Sequence, residues 1–176
     1  MDFPERMNSI ANSDDLLRSI KLLSLDVDGV LTDGGIYYAD DGNSFRKFNA
    51  KDGMGMTRLM AEGVPVTIIS AGAPGAIEYR AKRLGVSHVF TDVQDKLAIL
   101  RQLCADLGVG MNEVAHMGDD VNDLPIMAEV GLSITVADAV DDVLKVAKLV
   151  TTRRGGDGAV REICDTIMRL RQEIAE

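Results

Sequence analysis

Short apolar runs recur along this chain at intervals long enough to hold a helix: Leu22–Val27 (LLSLDV), Pro65–Ser70 (PVTIIS), Ser87–Phe90 (SHVF), Val114–Met117 (VAHM) and Gly131–Val136 (GLSITV), with a weaker sixth, KLVT, at 148–151. Runs this short, rich in β-branched residues and apolar on both sides, read as buried strands. The gaps carry helical stripes. Met56, Leu59 and Met60 share a face, as do Ile77, Ala81 and Leu84, then Leu97, Leu100, Cys104 and Leu107, and finally Ile163, Ile167, Leu170 and Ile174. Asp14 to Lys21 reads as a short opening helix, and Gly63, Gly85 and Gly108 stand where helix C-caps belong. Strand and helix in alternation predict an α/β, doubly wound, Rossmann-like parallel sheet with helices on both faces. At 176 residues the chain suits a single domain, 1–176.

One stretch breaks the alternation. Residues 34–49 (GGIYYADDGNSFRKFN) alternate polar and apolar around Asp40-Asp41-Gly42-Asn43, which predicts a β-hairpin directly after the first strand. Such a hairpin is large enough for a flap or an oligomer contact but too small to be a cap domain. The segment 152–176 reads as a Gly-rich stretch followed by the last helix.

Composition narrows the partners. A net charge of −9 argues against nucleic acid or an anionic membrane surface. No apolar run reaches membrane-spanning length. The N-terminal MDFPERMNSIANSDD has early acids and no apolar centre, so it is not read as a secretion signal. The two cysteines, Cys104 and Cys164, fall in helical stripes and read as buried reduced thiols. The cytoplasm is the expected location.

In open α/β sheets, ligands bind beyond the carboxyl ends of the strands. There the chain places Asp26-Val27-Asp28-Gly29, then Ser70, then Lys96 at a helix start, then Gly118-Asp119-Asp120 with Asp123 following. Clustered carboxylates repel, and a hard dication relieves that repulsion; magnesium needs only one or two protein carboxylates and keeps its waters. It would also draw a phosphate to an acidic protein. One carboxylate can then attack phosphorus, while Ser70 and Lys96 hold the other phosphate oxygens.

Each residue also has a plainer reading. Asp26 and Asp28 can serve as turn residues, Ser70 as a loop serine, Lys96 as a solvated first-turn lysine and Asp120 as a helix cap. His88 and His116 sit inside apolar strands and read as satisfied core histidines. Met54 and Met56 read as packing residues. Arg153-Arg154 before Gly155-Gly156 is either a surface pair or a mobile cationic tail.

Taken together and in order, Asp-x-Asp-Gly-Val-Leu-Thr-Asp at 26–33, Ser70, Lys96 and Gly-Asp-Asp-x-x-Asp at 118–123 resemble the four motifs of the haloacid dehalogenase superfamily. That resemblance implies Asp26 as nucleophile and Asp28 as general acid and base. It implies Mg2+ held by Asp26, the Asp28 carbonyl and Asp119, with Asp120 and Asp123 orienting the metal's waters and Lys96. Asp-Gly-x-Ile-Tyr in the hairpin, Phe-Asn-x-Lys-Asp-Gly-x-Gly at 48–55 and Gly-Gly-x-Gly-Ala-Val-Arg-Glu at 155–162 narrow the resemblance to the 3-deoxy-D-manno-octulosonate 8-phosphate phosphatases. It runs from Leu23 to Leu170. It implies a capless homotetramer whose hairpins form a barrel, a Gly-rich tail able to reach an active site, a sugar-acid phosphate substrate and a place in lipopolysaccharide biosynthesis. It also implies substrate contacts at Asp28, Asn49, Ala50, Lys51, Asp52, Gly53, Arg80 and Lys96. Two positions depart from the pattern: Ser70-Ala71-Gly72 stands where the family usually has Thr-Gly-Arg, so that Arg is absent, and Thr57, with Arg58 beside it, stands where a further Arg is expected. These departures bear on which sugar acid is read, with nonulosonate 9-phosphates as the alternative. A phospho-receiver domain gathers similar residues, but its phosphoacceptor Asp precedes the Lys from a later strand, an order this chain does not follow.

Overall fold

The computed structural model describes residues 14–173. Residues 1–13 of the N-terminal stretch discussed above, and Ile174, lie outside them. Six strands form one parallel sheet: β1 (Leu22–Leu25), β4 (Val66–Ile69), β5 (His88–Phe90), β6 (Val114–Met117), β7 (Leu132–Thr135) and β8 (Leu149–Val150), in the order β5-β4-β1-β6-β7-β8. The chain builds outward from β1 through β4 to β5, then returns to place β6 on the other side of β1. The reversal therefore falls at β1, flanked by β4 and β6, and the carboxyl ends of these three strands frame a crevice.

Alternation along β1 splits the core in two. Leu23 and Leu25 pack with Leu17 of the opening helix α1 (14–19) and Ile20 just after it, and with α2 (Ala50–Ala61), α3 (Ala76–Leu84), α6 (Asp141–Val146) and α7 (Ala159–Gln172). Leu22 packs on the opposite face with Leu100, Leu103 and Cys104 of α4 (Lys96–Leu107) and Ile126 of α5 (Leu124–Met127). In α4 the buried stripe runs through Leu103, and Leu107, expected inside, is exposed. Both cysteines are buried and unpaired. Among the described residues no helix is long and apolar enough to cross a membrane.

Capping places the helix ends. Asn49 accepts from the Lys51 N–H to open α2, and Asp95 accepts from the Ala98 N–H to open α4. Gly85 and Gly108 close α3 and α4 in the left-handed conformation.

The hairpin is present and small. β2 (Tyr37–Tyr38) pairs antiparallel with β3 (Ser44–Phe45), and Gly42 takes the positive-φ position of the connecting turn. A single bridge, Thr32 with Phe48, ties its base to the loop after β1. Ile36, Tyr37, Tyr38 and Phe45 are all exposed, Tyr38 at 73%. Met54, expected to pack, is exposed as well.

The Gly-rich segment corrects an expectation. Gly155, Gly156 and Gly158 are buried, and the segment is wedged against the loop after β1 rather than free to swing. Gly156 N–H donates to Val30 O, and a Cβ on Gly155 would stand 1.7 Å from Gly29 O. Only glycine lets these two backbones touch. Arg153 and Arg154 are exposed beside it, with the Arg153 N–H donating to Glu162.

Candidate active site

The carboxyl ends of β1, β4 and β6 deliver Asp26, Ser70 and Asp119 to one cleft of about 220 Å³, also lined by Asp28, Gly29, Gly34, Ala71, Gly72, Asp120 and Asn122. Lys96 enters from below, at the first turn of α4. Its Nζ lies 2.8 Å from Asp26 Oδ2 and 2.7 Å from Asp123 Oδ1, and all three side chains are buried, Asp26 alone of them bordering the cleft. The loop that carries α4 is tied to the β4 turn, because Asp92 N–H donates to Gly72 O and Val93 N–H to Ser70 O. Ser70 Oγ accepts from the Gly72 N–H, so its own hydrogen is left to donate into the cleft.

Asp123 is the hub beneath the site. It accepts from Lys96 and from the Asp119 N–H, and His116 Nε2 lies 3.2 Å from the same Oδ1 that Lys96 binds. His116 Nδ1 in turn meets Ser24 Oγ at 3.0 Å. His116 is thus a satisfied core histidine, as its strand position suggested, but one that reaches the site through Asp123. Burial alone would raise the Asp123 carboxyl; the hydrogen bond and charge of His116, with Lys96, outweigh it and hold it at about 2.

Two other acids go the opposite way. Burial pushes Asp26 up to about 7, with Asp123 adding and Lys96 opposing. Burial also pushes Asp119 up to about 7, helped by the charges of Asp123 and Asp120. One carboxylate oxygen from each of Asp26, Asp119 and Asp123 lies within 4.8 Å of the other two, and Asp119 Oδ1 is buried without a hydrogen-bond partner. A buried, unpaired carboxylate oxygen among like charges is costly unless a cation meets it. Oxygen-only donors of this kind fit a hard dication. Asp123 has both oxygens taken, Oδ1 by Lys96 and His116 and Oδ2 by the Asp119 N–H, and it does not line the cleft, so the donors left to hold the dication are Asp26 and Asp119. Gly29 lets the loop after β1 close over them: a Cβ there would sit 2.0 Å from Asp119 Oδ2.

Asp120, at the mouth, caps the turn that follows by accepting from the Val121 N–H, and it also lines the cleft. Asp28 is held from the hairpin. Arg46 Nε donates to its Oδ1 at 2.8 Å and Arg46 Nη2 to its Oδ2 at 3.1 Å. Sequence reasoning did not single out Arg46. Its only signal was position, a cation in the hairpin after the Asp-x-Asp pair.

The expected substrate loop is distributed differently. Asn49, Gly53 and Arg80 cluster together: Arg80 Nη2 donates to Asn49 O, and a Cβ on Gly53 would meet that guanidinium at 2.3 Å. Ala50 and Lys51 are exposed, and none of these five lines the cleft at Asp26. Asp52 does not line that cleft either. It is buried and accepts from the N–H groups of Gly158 and Arg161, closing the otherwise uncapped start of α7. Thr57 is spent on Gly53 O, and Arg58 pairs with Asp165.

The haloacid dehalogenase-like hydrolase family matches residues 88–163. A 3-deoxy-D-manno-octulosonate 8-phosphate phosphatase of Yersinia pestis is 42% identical over 159 residues, which cover 89% of this chain and 85% of that protein. The chain belongs to the 3-deoxy-D-manno-octulosonate 8-phosphate phosphatase family. The Escherichia coli K12 member is 39% identical over 158 residues, 90% of this chain and 84% of that one. The crystal structure of the Yersinia pestis enzyme superposes with a TM-score of 0.90 at 40% identity, covering 93% of this chain and 89% of the other. A Moraxella catarrhalis member, solved with magnesium, phosphate and KDO bound, superposes at 0.88 with 35% identity over 92% and 93% of the two chains. The family fold is the capless α/β sheet seen here.

Proposed function

We propose that this chain is a magnesium-dependent phosphatase that hydrolyses 3-deoxy-D-manno-octulosonate 8-phosphate to the free sugar acid and inorganic phosphate. The observation that carries the reading is the buried Asp26–Lys96–Asp123 contact beside the unpartnered Asp119, in a cleft at the topological switch point. It sits in a chain about 40% identical to phosphatases of that substrate.

Asp26 and Asp119, with the Asp28 carbonyl, would hold the metal. When bound, it offsets the negative charge of the carboxylates and the phosphate. The Asp26 carboxylate then attacks phosphorus, and the bond from phosphorus to the sugar oxygen breaks. Asp28 gives its proton to that leaving oxygen. In the second half a water attacks the phosphorus of the aspartyl phosphate, Asp28 takes the water's proton, and the phosphate leaves with Asp26 restored. Ser70 and Lys96 donate to phosphoryl oxygens where charge builds up, Lys96 being fixed beforehand by Asp123.

The exposed aromatic hairpin supports a homotetramer assembled through β2 and β3, since patches of this kind mark interfaces. The free thiols suit the reducing cytoplasm.

The deciding experiment is phosphate release from a panel of sugar-acid phosphates. Magnesium-dependent preference for octulosonate 8-phosphate is expected. Preference for a nonulosonate 9-phosphate replaces the substrate and keeps the chemistry. Equal, feeble turnover of every member removes the substrate reading.

A further inference from the structure

Arg46 directly follows β3 of the exposed ribbon, yet its side chain is only 10% exposed, because it folds inward onto Asp28. Both carboxylate oxygens of Asp28 are engaged by the guanidinium, through Nε and Nη2. The room for this comes from the sheet. Gly72, just beyond the end of β4, has no side chain, and a Cβ built there would stand 2.8 Å from Arg46 Nη2 and 3.0 Å from Asp28 Oδ2. Gly72 does not adopt a positive φ, so its backbone does not demand glycine. What demands it is the guanidinium. Arg46 and a side chain at position 72 compete for one space beside the proton-transferring acid.

We infer that Arg46 is the residue through which the hairpin selects an oxygen-rich leaving group. The site has no cap domain to enclose the alcohol, and Lys96 is committed to Asp26 and Asp123 below the phosphate. Arg46 stands on the leaving-group side, because it holds the acid that protonates the leaving oxygen. Its Nη1 has no partner among the described residues. A guanidinium offers several fixed donors, suited to hydroxyl and carboxylate oxygens and of no use to an apolar alcohol. When substrate binds, one of the two contacts yields, so that a proton on the freed Asp28 oxygen faces the ester oxygen, while Arg46 holds the other oxygen and turns its remaining donors to the sugar's own oxygens.

The inference rests on the phosphatase reading and is separable from it. The measured quantity is the ratio of kcat/KM for the sugar-acid phosphate that the wild type prefers to kcat/KM for p-nitrophenyl phosphate, whose leaving group is an apolar ring. Loss of charge-assisted hydrogen bonds predicts that Arg46→Ala lowers this ratio roughly ten- to hundredfold, mostly through KM for the sugar. Arg46→Lys should recover part of it. Gly72→Ala, which removes no charge and only displaces the end of a flexible side chain, should shift the ratio in the same direction while thermal stability holds. In the Arg46→Ala background, Gly72→Arg should restore part of the ratio by returning a guanidinium from the other side of the shared space. An unchanged ratio in Arg46→Ala overturns the inference. So does an equal fall on both substrates with a lowered melting temperature, which would make Arg46 only a latch for the hairpin. Failure of the phosphatase reading shows elsewhere, as a wild type that releases phosphate from neither ester.

Discussion

The Lys96 ammonium lies 2.8 Å from the Asp26 carboxylate, and both side chains are buried. A nucleophile paired in this way is held in one orientation before substrate arrives. Replacing Asp26 with Asn keeps the shape and removes the nucleophile. Activity should fall by at least about a thousandfold, while Lys96 keeps its bond to Asp123. Phosphate release by Asp26→Asn at a rate close to the wild type would end the assignment.

Removing Lys96 acts on folding as well. Lys96→Met leaves Asp26 and Asp123 buried side by side without their shared cation. Stability should fall by about 3–5 kcal/mol in urea unfolding. A midpoint indistinguishable from the wild type would mean that water already reaches the pair.

Metal and pH are linked through Asp26 and Asp119. Both carboxyls lie near 7 in the fold, above the usual 3.8. The folded metal-free protein therefore binds more protons than the unfolded chain between those values, and its stability falls as pH rises from about 4 to 7. Asp123 contributes the reverse, a stabilisation present above 3.8 and lost as pH falls toward 2. A dication competes with the protons on Asp26 and Asp119. Magnesium should therefore raise the urea midpoint more at pH 8 than at pH 5, and Asp119→Asn should flatten the metal-free slope. Equal stabilisation at both pH values would contradict this.

Much of this site is legible in one dimension. Asp26, Ser70 and Asp119 follow apolar runs, and a parallel sheet gathers its strand ends whatever the details of packing. Lys96 is found the same way, because Asp95 announces a helix start. Long-range partners are not legible. Asp52 looks like a first-turn acid of α2, and nothing near it in sequence says that it caps a helix beginning at Ala159. The role of Gly72 is visible only when Arg46 is seen in the space beside it. The glycines at 155 and 156 read as freedom in sequence, whereas in the fold they permit contact.

That contact can be tested. Gly155→Ala places a methyl group against the Gly29 carbonyl, backbone against backbone, where no side chain can yield. A cost of about 1–3 kcal/mol is expected, with a loss of activity from the shifted Asp28–Gly29 turn. Full activity with unchanged melting would show that the loop has room to spare.

The hairpin aromatics make a prediction about mass. Native mass spectrometry should find a tetramer, and Tyr38→Glu with Phe45→Glu should dissociate it by burying charge in an apolar contact. A monomeric wild type would remove the interface.

The clasp between Gly156 and Val30, and that between Asp52 and Gly158, also bear on how the enzyme is made. The loop that carries the nucleophile is translated early, but the backbone that presses it into shape leaves the ribosome far later. A nascent chain holding every catalytic side chain would still lack the wall behind them. Catalysis would therefore begin only after the Gly-rich segment and the start of α7 have been translated.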